Sequence, residues 1–414
     1  YFNIVKGIET HLNARAFVFR KPDGTKYAIV VTETGLMTIA ILEGVRQRLA
    51  TDAANLGIAP ENLLLTANHT HSGPGGYSHY IIFNLSIPGF SWEVYHAIVN
   101  GIVEALQQAN ANLEPARLYW ATGTFAEDLP VAFNRSLRSY NQNPDVEKLD
   151  FANRHLAIDR EMQQLYIESA AGKPLGLINW FSVHTTSMHN DSPDISSDNK
   201  GHAATLLEAK MANQNPGFVA AFAQGAAGDV TPNYQRFPGI PFTRGKYPED
   251  QKSKNFNGEL QANLAWELIT KAKQQPPLAP ILDSSFEFVN MMGLEADPEF
   301  TNGVKGCKTG APKIGLRMLG GTTEGPGADL LFLKTGSRLA KLFPQRFSDP
   351  DIHGPKVCWV DGYERTVAGT KLIHKLPLPT LIDPVVGELK RLSKENRMGN
   401  GPLLPYVIPL QMFR

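Results

Sequence analysis

The amino-acid sequence predicts an α/β protein with a mixed sheet core, flanking helices and an active site at the C-terminal ends of strands. Three observations carry this. Short apolar runs alternate with longer segments of helical period. Two of those runs flank Pro22-Asp23-Gly24, a hairpin signal. Three others end in polar loops, and in open α/β sheets ligands bind outside the carboxyl ends of strands.

Ala16 to Arg20 and Tyr27 to Thr32 form the two arms of the hairpin. Ile39 to Leu56 reads as a helix, with Leu42, Val45, Leu49 and Ala53 at helical spacing and Gly57 as its stop. Leu63 to Asn68 reads as a strand, Trp92 to Asn110 as a helix and Ala116 to Ala121 as a strand. Leu165 to Ser169 and Leu175 to Val183 form a further pair of strands. A helix near Gly201 to Ala212, a strand at Phe218 to Gln224 and a helix near Asn257 to Lys273 follow. From about Ile281 the pattern becomes irregular and rich in Gly and Pro, densest over Gly320 to Gly327. Arg236 to Lys254 is polar and Pro-rich; it reads equally as disorder or as a substrate-facing loop.

Bulk properties exclude whole classes. The 414 residues, 42% hydrophobic and 19% charged, suffice for a large core in one big domain or two smaller ones. Lys plus Arg and Asp plus Glu both number 40, and no basic block occurs, so nucleic acid is not an expected partner. No run reaches the ~18 apolar residues of a membrane span; Tyr27 to Val45 comes closest but carries Thr32, Glu33 and Thr34. No signal-like segment opens the sequence at Tyr1, so localisation is not legible directly. Cys307 and Cys358 fit either one disulfide in an exported protein or two thiols in a cytosolic one.

The chemistry concentrates at the three strand ends. Leu63 to Ala67 runs into Asn68-His69-Thr70-His71-Ser72-Gly73-Pro74-Gly75-Gly76, and on an extended backbone side chains two apart share a face, so His69 and His71 should serve one site. Leu175 to Val183 delivers His184, and Phe218 to Gln224 leads into Gly228-Asp229-Val230-Thr231-Pro232-Asn233. Each residue also has a plainer reading. A single His at a strand end often serves only as a hydrogen-bonded structural group, Thr231 could be a turn cap and Asp229 a turn brace, and Arg135 could be a surface arginine. His189 and Asp198 could also approach the site. Spacing alone supports a metallohydrolase and nothing narrower.

The same segments resemble the neutral, non-lysosomal ceramidases. His69 to Gly76 is similar to that family's signature, and Ile178-Asn179-Trp180-Phe181-Ser182-Val183-His184 to its second histidine strand. Asn134-Arg135-Ser136, Ser197 to Gly201, Gly228 to Asn233 and Gly321 to Gly327 match in the same order, and the resemblance extends from about residue 8 to residue 414.

The resemblance implies one ceramidase-like catalytic region over 1–414, with Zn2+ held by His69 and His184. His71 and Arg135 would line the site and hold the amide and head group, and Thr231 stands where the family usually has a possible serine nucleophile. A threonine keeps the hydroxyl but adds a methyl, which favours a zinc-activated water over an acyl-enzyme. The implied partner is ceramide or a related sphingolipid, with a membrane surface met only through that substrate. The implied location is extracytoplasmic, with Cys307 and Cys358 paired. It also implies that a Glu and a Tyr completing the zinc site follow a strand like Leu403 to Arg414, that an immunoglobulin-like domain comes after it, and that the chain alone is inactive or nearly so. Another zinc amidohydrolase or peptidase, and a non-catalytic lipid-binding homologue, are the alternatives.

Overall fold

The computed structural model describes residues 4–51, 55–80, 89–141, 145–316, 322–325, 330–343, 358–361 and 404–414, together with 83, 87, 143, 318, 366 and 367. Two sheets lie face to face with helices outside each, giving four layers. The first sheet has the order β2 (Ala14–Arg20), β3 (Lys26–Thr32), β4 (Ile58–Ala67); β2 and β3 are the antiparallel hairpin and β4 runs parallel to β3. The second has the order β10 (Val219–Gln224), β8 (Pro174–Phe181), β7 (Glu161–Ser169), β5 (Ala116–Thr124), parallel between β8 and β10 and antiparallel elsewhere.

Alternation along the strands builds these layers. On β3, Ala28 and Val30 face outward to α1 (Ile39–Leu49) and α2 (Trp92–Ala111), where they pack with Ile41, Val45, Tyr95, Val99 and Leu106. Ile29 and Val31 face the other way and meet Phe17, Leu165, Ile167, Ile178, Ala221 and Ala223 between the sheets. On the second sheet, Met162, Tyr166, Leu177, Phe181, Ala220 and Phe222 face α4 (Asp198–Met211) and α5 (Asp250–Ala272). Both faces of each sheet are thus covered, which is why the strands read as nearly continuous apolar runs. Each such aliphatic side chain contributes roughly 1.5–3 kcal/mol through burial.

Gly176 shows how closely β8 is hemmed in by its neighbour strand β10 and by the facing sheet. A Cβ there would lie 2.7 Å from the Val219 carbonyl oxygen and 2.9 Å from Phe17 Cε1. Backbone cannot yield as a flexible side chain can, so Gly176→Ala is expected to cost about 1–3 kcal/mol. Urea unfolding measures it, and a variant as stable as the parent would contradict the packing.

Several elements differ in extent from the sequence expectation. The first helix, capped by the Thr38 hydroxyl, ends at Leu49 rather than Leu56; the Ala50 and Thr51 N–H groups close it on Arg46 and Arg48. Gly57, at φ +68°, instead donates to Asn55 Oδ1 in a turn leading into β4, a role its left-handed backbone suits as well as a helix stop. The last long helix begins at Asp250, inside the unassigned polar stretch, because its early apolar content is low and its buried residues include Ser253, Lys254 and Asn257.

Past Ile281, the expectation of an irregular region is corrected in part. β12 (Ser284–Asn290) pairs over its whole length with β16 (Val407–Phe413), a partner too distant in sequence for local pattern to reveal. α6 (Leu330–Leu342) and the small sheet β13 (Lys313–Gly315), β14 (Cys358–Asp361), β15 (Thr366–Val367) also form. Of the Gly320 to Gly327 loop, 320, 321, 326 and 327 lie outside the described residues, as does Leu403. The implied Cys307–Cys358 disulfide is not formed. Cys358 stands on β14 opposite Gly315, whereas the Cys307 carbonyl accepts from Ala296 N in a separate turn region. No described helix is long and apolar enough to cross a membrane.

Short pieces complete the chain. β1 (Gly7–Ile8) pairs with β9 (Asp194–Ile195), and β6 (Phe133–Asn134), followed by the single-turn α3 (Leu137–Tyr140), pairs with β11 (Val230–Thr231).

Candidate metal centre

The C-terminal ends of β4, β8 and β10 come together across the two sheets. Thr70 and Thr185 form an isolated parallel bridge, the Thr185 hydroxyl donates to Asn68 O at 2.6 Å, and His71 N donates to Thr185 O. Gln224, the last residue of β10, donates to Val183 O at 2.9 Å. Behind them Lys200 is fully buried and its Nζ donates to Phe181 O at 2.8 Å and Ala223 O at 3.2 Å, tying β8 to β10. Burial pushes that ammonium down to about 7. Gly76, at φ +84°, brings its carbonyl to Ser91 N at 2.7 Å, and a Cβ would sit 3.0 Å from Gly89 O.

His69, His71 and His184 converge, each offering a nitrogen within 4.8 Å of the others. Their convergence does not come from regular strand alternation as expected. β4 stops at Ala67, and His69 has φ +73°, a left-handed conformation costly for a non-glycine residue. That kink sets the His69 and His71 rings at 88° to one another with their Nε2 atoms 3.2 Å apart.

Tautomers follow from the partners. His69 Nδ1 is 2.6 Å from Gly35 O, and His184 Nδ1 is 2.6 Å from Ala227 O and 3.0 Å from Val230 O. A carbonyl only accepts, so in both rings, when neutral, Nδ1 carries the proton and Nε2 presents its lone pair to the cluster. Such backing is what metal-binding imidazoles use to fix orientation and basicity. No equivalent Nδ1–carbonyl bond holds His71 among the described residues.

Two of the three rings resist protonation. His184 is held down to about 4, first by burial and then by Arg135 and His69, against the opposing pull of Glu324. His71 falls to about 3 for the same leading reason, followed by His69, His184 and Arg135. His71 is nevertheless exposed by surface area, while His69 is half-buried and His184 buried. The His69 and His184 nitrogens lie within 4.8 Å of one another, near enough that the two imidazoles could hold one metal ion.

Arg135 completes one wall. β6 and β11 pair so that Arg135 N donates to Asp229 O, while Asn134 Nδ2 donates to Asp229 Oδ2, and the brace expected of Asp229 is seen here. Arg135 Nη2 donates to Gly228 O at 2.9 Å and lies 3.3 Å from His184 Nε2. Thr231 is buried, and its hydroxyl accepts from Asn233 N at 2.9 Å. His189 stacks on Phe242 and stands 3.5 Å from Asp191, outside the histidine cluster. Asp198 lies beneath the segment after His184, accepting from Met188 N and Asn199 N, and burial pushes its carboxyl up to about 7.

Sequence reasoning missed Glu324 as a site residue. It pairs with Arg135 Nη1 and accepts from Thr186 Oγ1 and Asn233 Nδ2. An acidic residue in a Gly-rich loop was the available signal.

Comparison with known proteins extends the geometry. The family model for neutral/alkaline non-lysosomal ceramidase, N-terminal, matches residues 3–348. The neutral ceramidase of Pseudomonas aeruginosa is 38% identical over 324 residues, covering 78% of this chain and 46% of that protein. The neutral ceramidase of Mycobacterium tuberculosis is 33% identical over 331 residues, covering 78% and 50%. The crystal structure of the Pseudomonas aeruginosa enzyme aligns with a TM-score of 0.71 at 32% identity, covering 99% of this chain and 56% of that one. A solved ceramidase complexed with C2 aligns with a TM-score of 0.74 at 31% identity, covering 100% and 57%. The chain spans about half the length of the curated relatives it matches.

Proposed function

The chain belongs to the neutral/alkaline non-lysosomal ceramidase family, and from that premise we propose that it carries much of the active site of a zinc-dependent amidase. The proposed reaction cleaves the N-acyl bond of ceramide: water oxygen joins the acyl carbon, the C–N bond breaks, and a fatty acid and a protonated sphingoid base leave. The observation that carries this reading is the pair His69 and His184, each locked by a backbone carbonyl so that its Nε2 lone pair turns toward the histidine cluster.

These two residues would hold the zinc. When bound, the ion supplies Lewis-acid activation of water and of the amide carbonyl. His71, without such a carbonyl and exposed to solvent, is left to meet the substrate, and its neutral ring has an N–H and a lone pair to offer the amide and head group. Arg135 is aimed at the same point and supplies fixed donors where negative charge develops on the carbonyl oxygen. Thr231, engaged with Asn233, steadies the turn that carries the His184-backing carbonyls of Ala227 and Val230. This favours water rather than the Thr231 hydroxyl as the nucleophile.

The experiment is fatty-acid release from a short-chain N-acylsphingosine by the natural full-length protein. Hydrolysis should fall by more than about a hundred-fold after chelation and return with added zinc. Cleavage of peptides with no action on the ceramide would replace this reading with a peptidase. A zinc-free protein that binds ceramide without turnover would replace it with a lipid carrier. The same reading places the protein outside the cytoplasm, meeting membranes through its lipid substrate; cell fractionation checks this, and a cytosolic pool alone would contradict it.

A further inference from the structure

Arg135 brings a fixed positive charge to within 3.3 Å of the nitrogen that His184 turns toward the candidate metal position. A guanidinium and a divalent cation repel each other, more strongly where water is excluded. Imidazoles carry no negative charge and so do nothing to offset that repulsion. The structure supplies a carboxylate at this point. Glu324 is buried, its Oε1 is 3.4 Å from Arg135 Nη1, and its Oε2 accepts from Thr186 Oγ1 at 3.1 Å and Asn233 Nδ2 at 3.4 Å.

The carboxylate is itself fixed in place. Thr322 and Gly325 form a bridge around it, Glu324 N donates to Thr322 Oγ1, and Thr243 donates to Thr323 O through both its N–H and its hydroxyl. Thr186 follows His184 by two residues, and Asn233 follows Thr231 by two. Glu324 therefore links the loops after β8 and β11 to Arg135 from a segment 140 residues beyond His184.

We infer that Glu324 is the positioning residue of this site, holding the Arg135 guanidinium at a fixed angle and balancing its charge so that arginine and metal can stand side by side. The inference rests on the zinc reading above for the identity of the ion, but its test does not require turnover. Glu324 acts through Arg135, so its contribution should vanish when Arg135 is uncharged.

The test is a double-mutant cycle on zinc affinity, measured by chelator competition in the full-length protein. Glu324→Gln, which keeps the side-chain volume and removes the charge, should weaken zinc binding about ten-fold or more, within the range usual for outer partners of metal sites. Glu324→Asp, which keeps the charge, should stay within about three-fold of the parent. In an Arg135→Met background, Glu324→Gln should change affinity by less than about three-fold. If Glu324→Gln fails to fold, Thr186→Val enters the same cycle, since it removes one donor from the carboxylate; its smaller loss should likewise disappear beside Arg135→Met. Equal losses in both backgrounds, or no loss in either, would overturn the assignment. Absence of ceramide hydrolysis in the parent would sink the proposed function alone, leaving the zinc cycle to decide this point.

Discussion

His184→Ala is expected to leave the full-length protein folded but without stoichiometric zinc, and to lower N-acylsphingosine hydrolysis by more than about a hundred-fold. Loss of an outer partner alone costs about 10–100-fold at metal sites, and His184 is assigned to the ion itself. Its Nδ1 bonds to Ala227 and Val230 contribute only about 1 kcal/mol each to stability, so the fold should survive. His69→Ala should behave alike, with one difference. The φ of +73° at residue 69 is strained for any side chain larger than glycine, so His69→Gly should be more stable than His69→Ala while equally poor in zinc. Metal analysis after gel filtration reads the outcome, and full zinc occupancy in His184→Ala would remove the centre as drawn.

The convergence of those histidines was legible because each ends an apolar strand, and a run such as Leu175 to Val183 reads locally as a buried strand. The reason first given for His69 and His71 sharing a site was nevertheless not the operative one. Alternation on an extended backbone would point both rings the same way, whereas the left-handed turn at His69 crosses them at 88°. A single backbone dihedral of that kind leaves no periodic signature in a sequence.

Fold class was legible for the same local reason, but the layering was not. That Ile29 and Val31 face Ile178 and Ala221, while Ala28 and Val30 face α1 and α2, depends on which of two covered faces meets which layer. With both faces apolar, composition along the strand does not distinguish them. Glu324 was illegible for a different reason. A lone carboxylate in a glycine-rich loop becomes meaningful only when its partners Arg135, Thr186 and Asn233 are known, and they lie 91 to 189 residues away. Polar networks built over such distances belong to tertiary structure alone.

A second large effect is expected behind the metal centre, at Arg15. From β2 its Nη1 reaches Glu33 Oε1 at 2.5 Å, and its Nε and Nη2 reach the two oxygens of Glu208 on α4 at 2.7 and 3.1 Å. Glu33 also accepts from Asn13 N at 2.7 Å, and Glu208 from Ala220 N at 3.1 Å. Arg15→Met keeps the apolar stem but leaves the buried Glu33 without its cation, a loss that typically costs about 3–5 kcal/mol. Glu208 is more exposed and regains water, so most of the cost falls on Glu33. Against a total stability of about 5–15 kcal/mol this is severe. The damage should also reach the metal centre, because Glu33 is followed by Thr34, whose carbonyl accepts from His69 N, and Gly35, whose carbonyl holds His69 Nδ1. Urea unfolding of Arg15→Met beside Arg15→Met/Glu33→Leu tests the account. Removing both charges should restore at least about half of the loss, since a buried pair replaced by apolar groups is often near neutral. A single variant that loses less than about 1 kcal/mol, or a double variant less stable than the single, would show that the Arg15–Glu33 contact does not brace the strand end behind His69.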